Sequence, residues 1–339
     1  MAAVAVAGAA SAQVTITGGI AYGWQSSTEK VTAKTGQYVN GSTVNSTACT
    51  AATTADGTCS VIQAAVTAED RKERAGFGVD TAAVTFAANE DLGGGMSVSG
   101  SFTIGGINRS SSITGENYVM TLNAGSLGSF SFQNVESGSG IRGTGSAGAP
   151  VNNMEGEVLG AAGNISVAKY TFPAIADGVT LSVNHVSSNT GMGLGDSNDD
   201  ATSNGVAVSY AAGPLAVNVD YTNYQKSSVN YTSKTRVSAS YDMGMAKVGF
   251  GNESNAAVEA GDADKYTIIG LSAPVGANMT VGVVRVTNKI GTAATLAGTS
   301  YGLKYDLSKR TNLSASVSSW DASTTVRSDK TKVVLSHSF

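Results

Sequence analysis

The chain is poor in charge. Asp, Glu, Lys and Arg make up 14% of its 339 residues, whereas about 25% is usual in a soluble domain. It is also 41% hydrophobic, so it lacks the polar, charge-rich composition of a disordered chain. A fold with so little charge and so much apolar side chain must turn part of its surface toward something other than water. Basic residues are not in excess either: the formal net charge is −4 and no run of Lys or Arg exceeds two residues. Nothing is present to neutralise a phosphate backbone, which excludes nucleic acid as a partner.

Long hydrophobic runs are missing too. No stretch of the 18 to 20 apolar residues that a membrane helix needs occurs uninterrupted by Gly or polar side chains. This excludes a helical span and leaves a membrane barrel open. Proline is scarce, with 4 residues, and no Pro-rich linker or break in composition divides the chain, so residues 13–339 read as one domain. The two histidines, His185 and His337, lie far from each other and from Cys49 and Cys59, so the sequence assembles no metal set and implies no cofactor.

Residues 1–12, MAAVAVAGAASA, are small and apolar and end in Ala10-Ser11-Ala12, the pattern cut by signal peptidase. They read as a signal-peptide remnant before a mature start at Gln13, and the missing basic region implies a longer leader. Exported chains meet oxidising conditions. A disulfide between Cys49 and Cys59 is therefore expected on a polar loop at about 25–78, the alternative being two free thiols.

From Gln13 onward the dominant pattern is alternation with period two, the mark of a strand with two unlike faces. Val14, Ile16, Ile20, Tyr22 and Trp24 share one parity, and Thr15, Thr17, Gly19, Ala21 and Gly23 share the other. Sixteen such segments can be counted, from 13–24 and 79–88 to 311–320 and 331–339. Their connections alternate between short turns, such as AAGP at 211–214 and DMGM at 242–245, and longer polar segments. An even strand count with short turns at one end and long loops at the other predicts an all-β fold, a transmembrane antiparallel barrel. Trp24, Tyr118, Tyr221, Tyr266 and Trp320 fall at the long-loop ends, and Tyr170, Phe172, Tyr210, Tyr241, Tyr305 and Phe339 at the short-turn ends. They are expected to form two interfacial girdles.

Catalytic strings are present but out of context. Gly298-Thr299-Ser300-Tyr301-Gly302 matches the nucleophile elbow, which requires a strand-to-helix turn, yet strand alternation continues through it. Gly138-Ser139-Gly140-Ile141-Arg142-Gly143 matches the dinucleotide fingerprint without a following helix. No enzyme activity is expected. The chemistry left over is electrostatic: Lys169, Arg236, Lys247, Lys304 and Lys332 lie on the polar parity, and the segment 135–163 carries Glu136, Arg142, Glu155 and Glu157.

The order of features resembles that of the Gram-negative general porins over the whole of 13–339. The residues that carry the likeness are QVTITGGI, the turn Glu90-Asp91-Leu92-Gly93-Gly94-Gly95, NYVMTL with GSFSF, SVAKYTFP, AAGPLAV and the ending VVLSHSF. This resemblance implies a sixteen-stranded homotrimer in the outer membrane, passing small hydrophilic solutes and ions by passive diffusion. It also implies recognition of the terminal strand, with Phe339, by the barrel-assembly machinery. As in those porins, 135–163 is expected to fold inward as a constriction loop. Its acids Glu136, Glu155 and Glu157 would then stand across from some of Lys169, Arg236, Lys247 and Lys304, with Arg142 on the same constriction segment. One departure concerns the wall: arginines usual in the family after GSFSF and before the EDLG turn are replaced by Asn134 and by TAAVTFAA. Two other readings are a substrate-specific porin, which would show an aromatic track on the polar face, and a secreted β-solenoid adhesin or surface-layer protein, which would repeat at a fixed period.

Overall fold

The structure, a computed structural model, describes residues 13–31, 37–40, 59–63, 69–108, 112–136, 140–159, 164–187, 202–226, 231–257 and 263–339. Sixteen strands pair antiparallel, each with its sequence neighbours, into one closed barrel. They are β1 (Gln13–Val31), β2 (Glu69–Gly93), β3 (Met96–Gly105), β4 (Thr114–Asn123), β5 (Ser129–Glu136), β6 (Asn164–Thr171), β7 (Val179–Ser187) and β8 (Thr202–Ala212), followed by β9 (Leu215–Lys226), β10 (Tyr231–Asp242), β11 (Lys247–Ala257), β12 (Asp264–Val275), β13 (Met279–Ile290), β14 (Leu296–Asp306), β15 (Thr311–Asp321) and β16 (Val326–Ser338). No helix among the described residues is long and apolar enough to cross a membrane. A closed sheet can cross instead, because every strand finds a partner on both sides.

The seam joins the two ends of the chain. β1 runs against β16 from Gly19 opposite Ser338 to Val31 opposite Val326, and Gly18 and Phe339 exchange two backbone hydrogen bonds of 3.1 and 3.0 Å. The tight turns use glycine where the chain must adopt a positive φ, as at Gly94 (63°) and Gly244 (80°). A separate two-stranded ladder pairs Gln37–Asn40 with Cys59–Gln63. Cys49 and residues 1–12 lie outside the described residues, and so therefore do the expected pairing of Cys49 with Cys59 and the signal-peptide remnant.

The two faces are inverted relative to a soluble sandwich. Val14, Ile16, Ile20, Tyr22, Phe250, Ile269, Tyr301 and Leu335 are exposed on the outer parity, while Ser131, Ser182, Ser238, Ser300 and Ser318 are buried on the inner one. Apolar side chains outward and hydroxyls inward suit a lipid exterior and a wet interior. Closure of the sheet also removes the solenoid reading.

The structure departs from the sequence reading in three places. β2 extends to 25 residues, and its ladder with β1 continues to Val31 opposite Glu69. Beyond the bilayer both faces meet water, so alternation stops although pairing does not. The segment SAPVGAN at 272–278 reads in the sequence as one of the short turns, yet its Pro274 lies within β12 opposite Thr280. Trp320 and Tyr266 leave the girdle. Trp320 shares its parity with Ser318 and is 5% exposed, and Tyr266 shares its parity with Asp264 and Ile268. Both point inward.

Packing at the seam makes a prediction. A Cβ on Gly23 would lie 2.2 Å from the Val333 carbonyl oxygen of β16, and backbone there cannot yield without opening the seam. Gly23→Val should destabilise the barrel by about 1–3 kcal/mol, the usual cost of overpacking. Urea unfolding of the refolded protein, read as loss of the heat-modifiable band in electrophoresis, checks this.

Candidate functional site: the lumen and its internal loop

Between β5 and β6 the chain turns back onto the inner wall. Residues 140–159 include two short helices, α1 (Arg142–Gly145) and α2 (Met154–Leu159). The first lies on β9 to β12 and the second on β13 to β15. Ile141, Met154 and Val158 form one buried cluster with the wall residues Ile268, Val284, Val286 and Trp320. The inner face is thus not uniformly small and polar: under the loop it carries large apolar side chains, each stabilising the contact by about 1.5–3 kcal/mol on full burial.

Glycines complete the seat. A Cβ on Gly249 would meet the Thr144 carbonyl oxygen at 2.5 Å, one on Gly270 the Ser146 carbonyl at 2.3 Å, and one on Gly302 the Pro150 carbonyl oxygen at 2.0 Å. Gly282 is filled in the same way by Ala149, and Gly298 by Met154. Removing wall side chains lets loop backbone approach strand backbone, which only glycine permits. Polar contacts fix the register. Ser272 Oγ donates to the Ala147 carbonyl at 2.6 Å, the Asn152 N–H donates to Ser300 Oγ at 3.2 Å, Asn218 Nδ2 donates to Thr144 Oγ1 at 2.6 Å and Asn288 Nδ2 donates to the Val158 carbonyl at 3.3 Å.

The elbow-like string is part of this seat. Gly298 and Gly302 receive the loop, and Ser300, fully buried, bonds Ser318 at 2.8 Å. The Gly138–Gly143 string leads into α1, only four residues long. His185 and His337 sit exposed on outer-parity positions, bonded to Asn204 at 2.8 Å and Thr311 at 2.9 Å. Among the described residues no group of three or more His, Cys, Asp or Glu could hold a metal.

Most lumen charges are paired. Glu157 on α2 binds Lys330 at 2.5 Å, and the Lys330 ammonium also lies 5.3 Å from the Trp320 ring centre. Arg236 Nε donates to both Asp220 oxygens at 2.7 and 2.9 Å, and its guanidinium abuts Gly140 of the loop. Lys234 pairs with Glu253 at 3.4 Å and Lys304 with Asp306 at 3.2 Å, and Lys332 pairs with Asp80.

Of the residues singled out from sequence, Lys169, Arg236, Lys247, Lys304 and Lys332 all lie on the inner parity. Glu157 reaches Lys330, which the sequence reading did not include, and Glu155 is buried, 9% exposed. Arg142 is exposed at the start of α1. Glu136 ends β5 on the parity of Phe132 and Asn134, the outer side, and its N–H bonds Asn117 Oδ1 at 3.3 Å. Lys304 and Lys247 stand near the short-turn end of the wall, away from the loop acids. Parity would have found Lys330 and Trp320, because both are in phase with Ser318 and Ser328.

Across from the loop, β2 to β7 present hydroxyls and amides. Thr85 bonds Thr103 at 2.8 Å, Thr121 donates to Ser131 at 3.1 Å, and Gln133 donates to the same Ser131 at 2.9 Å. Lys169 on β6 is a cation on this half of the wall, and Arg74 on β2 shares the inner parity of Asp80.

A closed barrel with an apolar exterior, a hydroxyl-lined interior and a loop seated on its inner wall defines an outer-membrane channel protein. The chain belongs to the Gram-negative porin family, which it matches over residues 1–325. It is an integral protein of the outer membrane with the fold of a channel rather than an enzyme. Solved structures agree in fold. The anion-selective porin from Comamonas acidovorans is 17% identical, with 97% of this chain and 100% of that one covered at a TM-score of 0.66. A loop-deletion mutant of OmpT, an outer membrane protein of Vibrio cholerae, is 14% identical, covering 97% and 99% at 0.61. A mutant Rh. blastica porin is 13% identical, covering 96% and 100% at 0.60. A search of curated proteins finds no match.

If the glycine seat holds the loop, filling it should release the loop and spare the barrel. Gly270→Val is expected to retain heat-modifiable migration but to raise single-channel conductance and its noise in a planar bilayer, relative to the unsubstituted channel.

Proposed function

We propose that the channel passes small hydrophilic solutes and ions down their gradients, and that segment 135–163 forms its constriction. The observation that carries this reading is the seating of 140–159 on the inner wall of β9 to β15, which leaves the path between the loop and the hydroxyl-lined wall of β2 to β7. Solutes on that path meet the loop on one side and Thr85, Thr103, Thr121, Ser131 and Lys169 on the other. With wall cations mostly paired to carboxylates, selection by charge is weak. Lys169 and Lys247 have no ion-pair partner among the described residues, which biases the lumen toward anions.

The assembly we propose is a homotrimer. Support comes from the family resemblance and from the low wall on one side: β3 to β7 have 8 to 10 residues, β8 to β16 have 11 to 13. A low wall with the stacked outer aromatics Phe86, Phe102 and Tyr118 suits contact with further copies. Recognition of the terminal strand with Phe339 by the barrel-assembly machinery belongs to the same reading, as does a signal peptide ending at Ala12.

Planar-bilayer recording under a salt gradient tests channel and assembly together. Conductance should close in three equal steps, and single-step closure with a monomeric mass in mild detergent would contradict the trimer. Glu155→Gln with Glu157→Gln removes the loop acids and frees Lys330. The reversal potential should move further toward anions, most at low salt, since screening acts within about 10 Å at 0.1 M. An unmoved potential would remove this loop from the selectivity path.

The Cys49–Cys59 disulfide is proposed for the first long loop, where closing so short a segment restrains the unfolded chain by about 3 kcal/mol at most. Alkylation followed by intact-mass measurement should label two thiols only after reduction.

A further inference from the structure

A second group of inner-wall side chains stands beside the loop seat, at the external ends of β11 to β13. Asn255 and Asp264 are directly opposite each other in the β11–β12 ladder. Glu253 is two positions from Asn255 on the same face, and Asn288 on β13 is two positions from Ile290, the other partner of Asp264. Such neighbours, direct or diagonal, are within side-chain reach of one another. All four are buried, with exposures of 2% for Glu253, 3% for Asn255, 6% for Asp264 and 3% for Asn288.

Each of them keeps one oxygen with no hydrogen-bond partner among the described residues: Glu253 Oε2, Asn255 Oδ1, Asp264 Oδ1 and Asn288 Oδ1. The nearby donors are already directed elsewhere. Lys234 Nζ at 3.4 Å and Asn255 Nδ2 at 3.2 Å both serve Glu253 Oε1. The Tyr266 hydroxyl at 3.1 Å and the Tyr231 hydroxyl both serve Asp264 Oδ2. Asn288 Nδ2 is spent on the Val158 carbonyl. Because Asn255 must turn its amide nitrogen to the Glu253 carboxylate, its oxygen points away from that bond.

The unpartnered atoms are all acceptors. Buried acceptor oxygens, two of them on carboxylates, are stabilised by a cation, and an all-oxygen set selects a hard one. We propose that Glu253, Asn255 and Asp264, with Asn288 at the margin, bind a divalent cation of the calcium class on the inner wall. Calcium accepts six to eight oxygens in irregular arrangements, whereas magnesium demands a near-ideal octahedron, and ligands from three adjacent strands favour the former. Water supplies the remaining positions. With two charged ligands and Lys234 beside them, binding is weak, on the order of 10⁻⁴–10⁻³ M as in extracellular calcium modules. The ion ties the external ends of β11, β12 and β13 together, next to the point where Asn288 holds the end of α2.

Terbium, a calcium substitute whose emission is sensitised by adjacent phenols, tests this on the full chain in detergent. Tyr231 and Tyr266 are placed to sensitise it. Tyrosine-excited emission should saturate and be displaced by millimolar calcium but not by equal potassium. Asp264→Asn should weaken terbium binding by about tenfold and Asn255→Asp should tighten it, in line with the dependence of affinity on ligand charge. Both variants should keep the heat-modifiable band. Absence of calcium-displaceable emission in the unsubstituted protein would overturn the proposal and assign the four oxygens to water, and so would emission unaltered by Asp264→Asn and Asn255→Asp in folded protein. Neither result bears on solute passage, so the site and the channel reading fail independently.

Discussion

Inside a bilayer no water is available to a peptide group, so every N–H and C=O must find its partner within the protein. In a sheet this is possible only by closure, and the pairing of β1 with β16 is the contact that achieves it. The other large features follow. An even number of strands returns the chain to its starting side, and the two parities become an outside and an inside. The outside must be apolar, as Val14, Ile16, Ile269 and Leu335 are. At the seam, where two chain ends meet and no covalent turn sets the spacing, Gly23 lets β16 approach closely and Gly18 leaves room for the Phe339 ring.

The lumen sets the opposite requirement. It is wet, so hydroxyls and charges are stable there, but a loop crossing it must be held against water. Here a strip of wall loses its side chains. Gly249, Gly270, Gly282, Gly298 and Gly302 admit loop backbone or small side chains, and around them Ile268, Val284, Val286 and Trp320 bury Ile141, Met154 and Val158. Glycine weakens a strand, and the contacts with the loop offset that weakness on both of its neighbours. The seat is therefore one unit of wall and loop.

Charge is organised around the same unit. Five lumen cations are matched by carboxylates within the wall or on the loop, so the long-range field is small, and salt screens what remains beyond about 10 Å. Glu157, Lys330 and Trp320 form one cluster that holds the loop against the wall.

Alternation along single strands is a local property, and it was enough to specify an all-β membrane barrel, the strand number, the alternation of short and long connections and the inward side of Lys169, Arg236, Lys247, Lys304 and Lys332. Each of these follows from which parity faces lipid, a condition that acts on one strand at a time. The aromatic side chains show where this stops. Tyr221 and Trp320 stand alike at the external ends of their strands, yet one faces lipid and the other lies under a loop, because an aromatic ring suits an interface and a buried contact equally well. Glu136 and Glu157 belong to one acidic loop segment, but the phase of β5 carries the first to the outer side while the fold of α2 brings the second to Lys330. The glycine strip reads in sequence as ordinary strand glycines, scattered over β11 to β14. Only the stagger of those strands aligns them under residues 144–154, since contacts across a lumen join segments more than a hundred residues apart and leave no period in the chain.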